Sequence, residues 1–307
     1  MKKFVVPALS LALCLRLVTG CSSKTSAPET SATETTAANG SESAASESAE
    51  STEPKAVDSL KIAFSPYADA DTITTATEPL ENLLKEELLT KGYDVADIDM
   101  TVGTSYTAVG EALSAGSADI GFISGGNYVL FSDDCDVLLT ALRYAINKDS
   151  EDPKGWNDGT IEENTDAMST YYRSIILAGP SAKGQELLAK VNNGEELTWD
   201  DLNSATWAVM GPTSASGYIY PSLWLQERYG KTIADLDNTV QSDSYTTSLA
   251  RLASGQADVM VSFGHIRTKN AKDWKEKLGG TDEMVNQTGI IGVTEPIYND
   301  MIAYSKN

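Results

Sequence analysis

The sequence predicts an α/β protein in two lobes, each a mainly parallel sheet flanked by helices, with a cleft between them. Three observations lead there. Residues 58–307 are too many for one small core and suit two. Short β-branched or apolar runs alternate along this stretch with helical ones, as in sheets whose strands are joined by helices. One segment of the first half also recurs in the second. Ser105-Tyr106-Thr107 is followed by Leu113, Gly116 and Ala118-Asp119, and Ser244-Tyr245-Thr246 by Leu252, Gly255 and Ala257-Asp258. The spacing from tyrosine to aspartate is the same in both.

Residues 1–20 read as an export signal, with Lys2 and Lys3 ahead of the apolar stretch Phe4 to Leu15. Val18-Thr19-Gly20-Cys21 resembles a bacterial lipobox, so Cys21 is expected to carry lipid after cleavage. Residues 21–57 are rich in Ser, Thr, Ala and Glu and hold no aromatic residue. Such a segment buries too little apolar surface to offset its ordering entropy, and reads as a disordered, lipid-anchored linker. Cys14 leaves with the signal and Cys21 takes lipid. Cys135 is then alone, which excludes an intrachain disulfide and suggests a small buried apolar residue.

Strands are expected at Leu60–Ser65, Asp99–Gly103, Ala118–Ile123, Asp136–Arg143, Tyr172–Ala178, Thr206–Met210, Asn238–Gln241, Ala257–Phe263, Ile290–Val293 and Met301–Tyr304. Helices fall between most of them, among them Thr74–Leu89 and Ser216–Tyr229. Each echo segment reads as a Ser-Tyr-Thr turn capping an amphipathic helix that a glycine ends. Helix N-termini face the crevice at the carboxyl ends of the strands in an open α/β sheet. One copy per lobe would aim two such turns at a shared cleft.

Charge and composition exclude several classes. With Lys+Arg 23 against Asp+Glu 44 and a formal net charge of −21, no broad basic face is available for nucleic acid. One histidine and three cysteines do not build a zinc ribbon or a His-rich metal centre, and the ordered acidic spacing of a calcium loop is absent. No cofactor motif stands out. The acidic stretch of about 144–170 reads as a surface loop, with Glu162 and Glu163 as solvated charge. Trp156 within it is a candidate lid. Trp199, Trp224 and Trp274 read as packing residues.

An oxyanion cradle is expected where Trp207-Ala208-Val209-Met210-Gly211 ends as a strand and Pro212-Thr213-Ser214-Ala215-Ser216-Gly217-Tyr218 leads into a helix. First-turn amides lack intrahelical acceptors, and the helix dipole favours negative charge there. Thr213, Ser214 and Ser216 add hydroxyl donors. No Gly-Lys-Ser/Thr follows, so the turn is not a P-loop. No Gly-x-Ser-x-Gly elbow is present either.

These residues, with Leu60-Lys61-Ile62-Ala63-Phe64-Ser65-Pro66-Tyr67, Gly103–Val109, Ala118–Phe122, Tyr171-Tyr172-Arg173-Ser174, Gly255–Asp258 and Asn299-Asp300, resemble the phosphate/phosphite/phosphonate substrate-binding proteins of ABC importers. The resemblance covers residues 58–307. It implies a type II periplasmic binding protein fold that closes on its ligand. The division it implies is 58–178 plus 289–307 for lobe 1 and 179–288 for lobe 2, with hinge crossings near Ala178–Ser181 and Gln287–Ile290.

It also implies that a phosphonate group sits on Ser214, Ala215 and Ser216, with Thr213 beside them as a further expected ligand contact, and that Tyr106 and Tyr172 face the ligand. Tyr245 stands where a histidine is common, His265 where an acid that holds an amino group is common, and Asp300 at a further acidic contact. His265 in place of a carboxylate disfavours an ammonium-bearing ligand. The partners implied are a small phosphorus oxyanion and a membrane permease, for a monomer outside the cytoplasm. A sulfonate or sulfate-ester ligand on the same fold stays open. So does a Ser/His hydrolase, which would need His265 within reach of Ser214 or Ser216.

Overall fold

The computed structural model describes residues 53–307. The expected export signal, Cys21 and residues 21–52 of the expected linker lie outside the described residues. The first lobe starts with β1 (Lys55–Phe64), α1 (Ala70–Thr90), β2 (Tyr93–Val102), α2 (Tyr106–Ser114), β3 (Ile120–Ile123), α3 (Gly125–Phe131) and β4 (Cys135–Thr140). Lys55 to Val57, expected to end the linker, already pair with Tyr93 to Val95 in parallel. A hairpin follows, β5 (Arg143–Ile146) and β6 (Asn164–Ser169).

The second lobe contains β7 (Tyr171–Ala178), α4 (Ala182–Asn193), α5 (Trp199–Asn203), β8 (Trp207–Val209), a π-helical turn over Ala215–Ile219 and α6 (Tyr220–Tyr229). It continues through β9 (Thr239–Gln241), α7 (Tyr245–Ala253), β10 (Val259–Phe263), α8 (Ile266–Glu276), α9 (Met284–Gln287) and β11 (Gly289–Tyr298). β12 (Met301–Ser305) returns to the first lobe.

The two sheets have one plan. Their strand orders are β2-β1-β3-β12-β4 and, written from its other edge, β9-β8-β10-β7-β11. β1 pairs in parallel with β2 and β3, and β8 with β9 and β10. β12 lies antiparallel between β3 and β4, as β7 does between β10 and β11. Four strands of each sheet therefore point one way. The reversed strand of each is the one that has just arrived from the other lobe.

This topology corrects the expected lobe boundaries. Tyr171–Ala178 and Gly289–Tyr298 belong to the second sheet, with Val259 and Gly289 both paired to Ala178. The chain crosses at Ala141–Leu142 and again at Asn299–Asp300, not near residues 178–181 and 287–290. An apolar run such as Ser174–Ala178 signals a buried strand but not which sheet buries it. The crossings are held together. Ala141 donates its N–H to the Asp300 carbonyl at 2.9 Å, and the Asn299 side-chain amide donates to the carbonyls of Ala141 and Ser169, each at 2.9 Å.

The echo segments are structural twins. Ser105 caps α2 by accepting from the Ala108 N–H at 3.1 Å, and Ser244 caps α7 by accepting from the Thr247 N–H at 3.2 Å. Each helix has 9 residues. Each is followed by a left-handed glycine, Gly116 at φ 66° and Gly255 at φ 73°, which a side chain would strain. Asp119 then accepts from the Lys61 N–H at 2.7 Å, and Asp258 from the Thr206 N–H at 2.8 Å. Each aspartate so pins its strand to the neighbouring central one. Both helices start at the carboxyl end of a strand that faces the other lobe.

Cores lie on both faces of each sheet. Phe64 stacks on Phe122 at 4.5 Å in the first lobe, while Trp207, Trp224 and Ile176 are buried together in the second. Cys135 is buried as a free thiol, as expected. The segment around 144–170 is more than a loop. Trp156 is 1% exposed, donates its indole N–H to the Ser150 carbonyl at 2.8 Å and packs under Gly264. It is core, not a lid. Glu162, expected to be solvated, is 0% exposed and pairs with the buried Arg267. A buried cation from α8 explains what the local sequence could not.

Candidate functional site

The turn after β8 is built from its own backbone. Ser214 donates its N–H to the Gly211 carbonyl at 3.0 Å, and Met210 donates to the Gly217 carbonyl at 3.0 Å. The Ser214 hydroxyl caps the helical run by accepting from the Gly217 N–H at 3.2 Å. A Cβ at Gly217 would fall 2.3 Å from Met210 Cγ, so only glycine lets the turn close this tightly. The amides of Ala215 and Ser216 open the helical run, where no intrahelical acceptor exists.

Tyrosine hydroxyls converge on this turn. Tyr245 Oη lies 3.1 Å from Ser214 Oγ and 2.8 Å from Ser216 Oγ. The Tyr106 hydroxyl, from the other lobe, faces Ser214, and the Tyr172 hydroxyl, from β7, faces Ser216. Ser174 donates to the Ser216 carbonyl at 2.7 Å and braces the turn from beneath. Asp300, on the second crossing, is half-buried and its charge acts on all three tyrosines.

The lobes meet at the same place. Ser124 donates to the Thr213 carbonyl at 2.7 Å, and Thr107 Oγ1 lies 3.4 Å from Thr213 Oγ1. The Asn127 amide holds the Tyr106 carbonyl. A Cβ on Gly126 would lie 2.6 Å from the Thr213 carbonyl oxygen. The structure thus brings together Tyr106, Tyr172, Thr213, Ser214, Ala215, Ser216, Tyr245 and Asp300 from both lobes.

Desolvation sets the protonation states. Burial raises Tyr106 and Tyr172 well above the ordinary phenol value and pushes Tyr245 up to about 12. All three stay neutral and keep a proton to donate. Burial also raises the Asp300 carboxyl, against the pull of the Arg143 guanidinium. His265 is buried beside Phe263, 5.4 Å ring to ring, and burial and then the charges of Lys269 and Arg143 lower it to about 3. It is neutral at physiological pH. The hydroxyls of Ser214 and Ser216 both bond Tyr245. A histidine so weakly basic is a poor general base for either.

Sequence reasoning missed three groups. Arg143 stacks its guanidinium 4.2 Å above the Tyr172 ring. Lys269 lies 5.4 Å from the Phe263 ring and 5.8 Å from the Tyr67 ring. Ser65, at the end of β1, has a buried hydroxyl with no partner. Ser65 holds in the first lobe the place that the serine turn holds in the second, and matching the two sheets would have found it. No local pattern marks Arg143 or Lys269. Among the described residues no group of three or more His, Cys, Asp or Glu side chains is placed to hold a metal ion, and no helix is long and apolar enough to cross a membrane.

Two sheets on one plan, tied by two adjacent crossings and meeting at a buried ring of hydroxyl donors, define a hinged binding protein for a small solute. The model of the family described as "ABC transporter, phosphonate, periplasmic substrate-binding protein" matches residues 62–307, and the chain belongs to that family. Its members work outside the cytoplasm as solute receptors for transport. Solved structures agree in fold. A binding-protein component of an ABC phosphonate transporter from Pseudomonas aeruginosa is 14% identical, with a TM-score of 0.56 over 81% of this chain and 69% of its own. PhnD1 from Prochlorococcus marinus, solved with methylphosphonate, is also 14% identical, with a TM-score of 0.56 over 81% of this chain and 77% of its own. A search of curated proteins found no match.

Proposed function

We propose that this chain captures a small phosphorus oxyanion (a phosphonate, phosphite or phosphate) between its lobes and hands it to an ABC permease. The observation that carries this is the bridging of Ser214 and Ser216 by the neutral Tyr245 hydroxyl, opposite Tyr106 of the other lobe. A ring of neutral donors around a helix start suits an oxyanion without a lysine. Ligand contacts are assigned to Tyr106, Tyr172, Thr213, Ser214, Ala215, Ser216, Tyr245 and Asp300, with His265 beside them. Closure around the hinge removes water from these bonds and strengthens them. Binding and release need no bond-breaking step, and the cluster offers no paired nucleophile and base. The lipobox-like Cys21 would tether the monomer to the membrane where the permease works.

Asp300 favours phosphorus over sulfur. A carboxylate repels a fully ionised oxyanion, while a raised carboxyl can share one proton with an acid that still carries its own. Phosphonate and phosphite keep a proton near neutral pH and a sulfonate does not. Calorimetry of the body from residue 53 with methylphosphonate, phosphite, phosphate and methanesulfonate, in buffers of two ionisation enthalpies, tests this. Proton-linked binding of the phosphorus acids is expected. A sulfonate bound more tightly and without proton exchange would overturn it.

A further inference from the structure

Beyond the hydroxyl ring the cleft changes character. Tyr245 packs edge-on against Phe263 at 5.2 Å, and Lys269 lies on the next side of that ring, 5.4 Å from its centroid. The same ammonium reaches toward Tyr67 of the first lobe, at 5.8 Å, so it stands where the lobes face each other. Arg143 covers Tyr172 at 4.2 Å. Its charge acts on Tyr172, Tyr245, His265, Lys269 and Asp300, so it stands among the same groups. Among the described residues neither cation has a carboxylate within 4.0 Å. In a chain of net charge −21, two cations outside any salt bridge, with the Asp300 carboxyl acted on by Arg143, are a local gathering of positive charge.

We infer that Arg143 and Lys269, with the Tyr67, Tyr172 and Phe263 rings between them, form a second compartment of the cleft that takes a second anionic group of the ligand. The inference rests on the proposed oxyanion site and names the class of ligand it serves: a phosphorus oxyanion carrying a carboxylate a few bonds away, such as a phosphonocarboxylate. Two cations facing one compartment repel an ammonium group, His265 is neutral, and the Asp300 carboxyl that Arg143 acts on is raised toward its neutral form by burial. The aromatic faces hold the cations in place while leaving their N–H groups free for an anion. A carboxylate there would gain charge-assisted hydrogen bonds from a guanidinium that can offer two at once.

The test is calorimetry at low and high salt with 3-phosphonopropionate, methylphosphonate and 2-aminoethylphosphonate, on the wild-type body and on Lys269→Met and Arg143→Gln. Lys269 is exposed on α8, so its variant keeps the fold even where that of Arg143 does not. The phosphonocarboxylate is expected to bind about tenfold or more tightly than methylphosphonate. The ratio between them should fall toward one in Lys269→Met and at high salt. Equal affinity for the two, or 2-aminoethylphosphonate as the tightest ligand, would overturn the second compartment and leave the oxyanion site standing. Binding of none of the three would remove the oxyanion reading itself.

Discussion

Gly126 is where closure can be tested by a single methyl group. It sits in the first turn of α3, in the first lobe, and an added Cβ would fall 2.6 Å from the Thr213 carbonyl oxygen and 2.5 Å from Ile219 Cδ1 of the second. The isoleucine can rotate away, but the carbonyl is backbone and already accepts from Ser124 at 2.7 Å. Relief therefore requires the lobes to part. Overpacking a well-fitted contact costs about 1–3 kcal/mol. The contact joins the two lobes, so if closure on the ligand keeps it, Gly126→Ala should weaken binding of a phosphorus oxyanion by about 5- to 150-fold. The unliganded melting temperature should move little where the lobes are free to part. Calorimetry with methylphosphonate and a thermal melt of the same sample read both quantities. Affinity within twofold of wild type would refute the reasoning, as would a loss of unliganded stability as large as the loss in binding.

Three further outcomes are expected. Tyr245→Phe removes the hydroxyl between Ser214 and Ser216, and should cost about 1–3 kcal/mol of stability by urea unfolding together with a loss of oxyanion affinity. Asp300 is raised in the folded protein, so its folded form binds the proton more tightly than the unfolded chain does. Its contribution to stability is thus full below the ordinary carboxyl range and is lost as pH rises through the raised value. Asp300→Asn should flatten that decline in melts from pH 4 to 8, and should also admit methanesulfonate more readily. Glu162→Ala strands the buried Arg267 guanidinium and should cost about 3–5 kcal/mol in urea unfolding, with the altered chain still able to bind ligand where it folds.

Much of the fold was legible because its signals are local. A run such as Val259–Phe263, apolar but for Ser262, reads as a buried strand, and the Ser-Tyr-Thr turns, their glycines and their Ala-Asp restarts carry one plan twice. The serine turn was legible for the same reason, since strand, glycine, hydroxyls and helix follow each other in the chain. What was illegible depends on partners distant in sequence. β7 and β11 read as strands, but only pairing with β10 and with each other assigns them to the second lobe. Glu162 looks like any surface acid until α8 brings Arg267 to it across 105 positions. Arg143 ends an expected strand without any motif, and its place over Tyr172 is a product of the hairpin that follows the first crossing.

The amide of Asn299 has a mechanical consequence. By gripping the carbonyls of Ala141 and Ser169 at once, it joins the two strands that run between the lobes into one axle. Asp300 is the next residue along that axle. A point on a pivot scarcely travels, so a swing of the halves would bring Tyr106 from one side and Tyr245 from the other toward the Asp300 carboxyl rather than displace it. A guest would meet that carboxyl first and unaltered, and the jaws would then come to it.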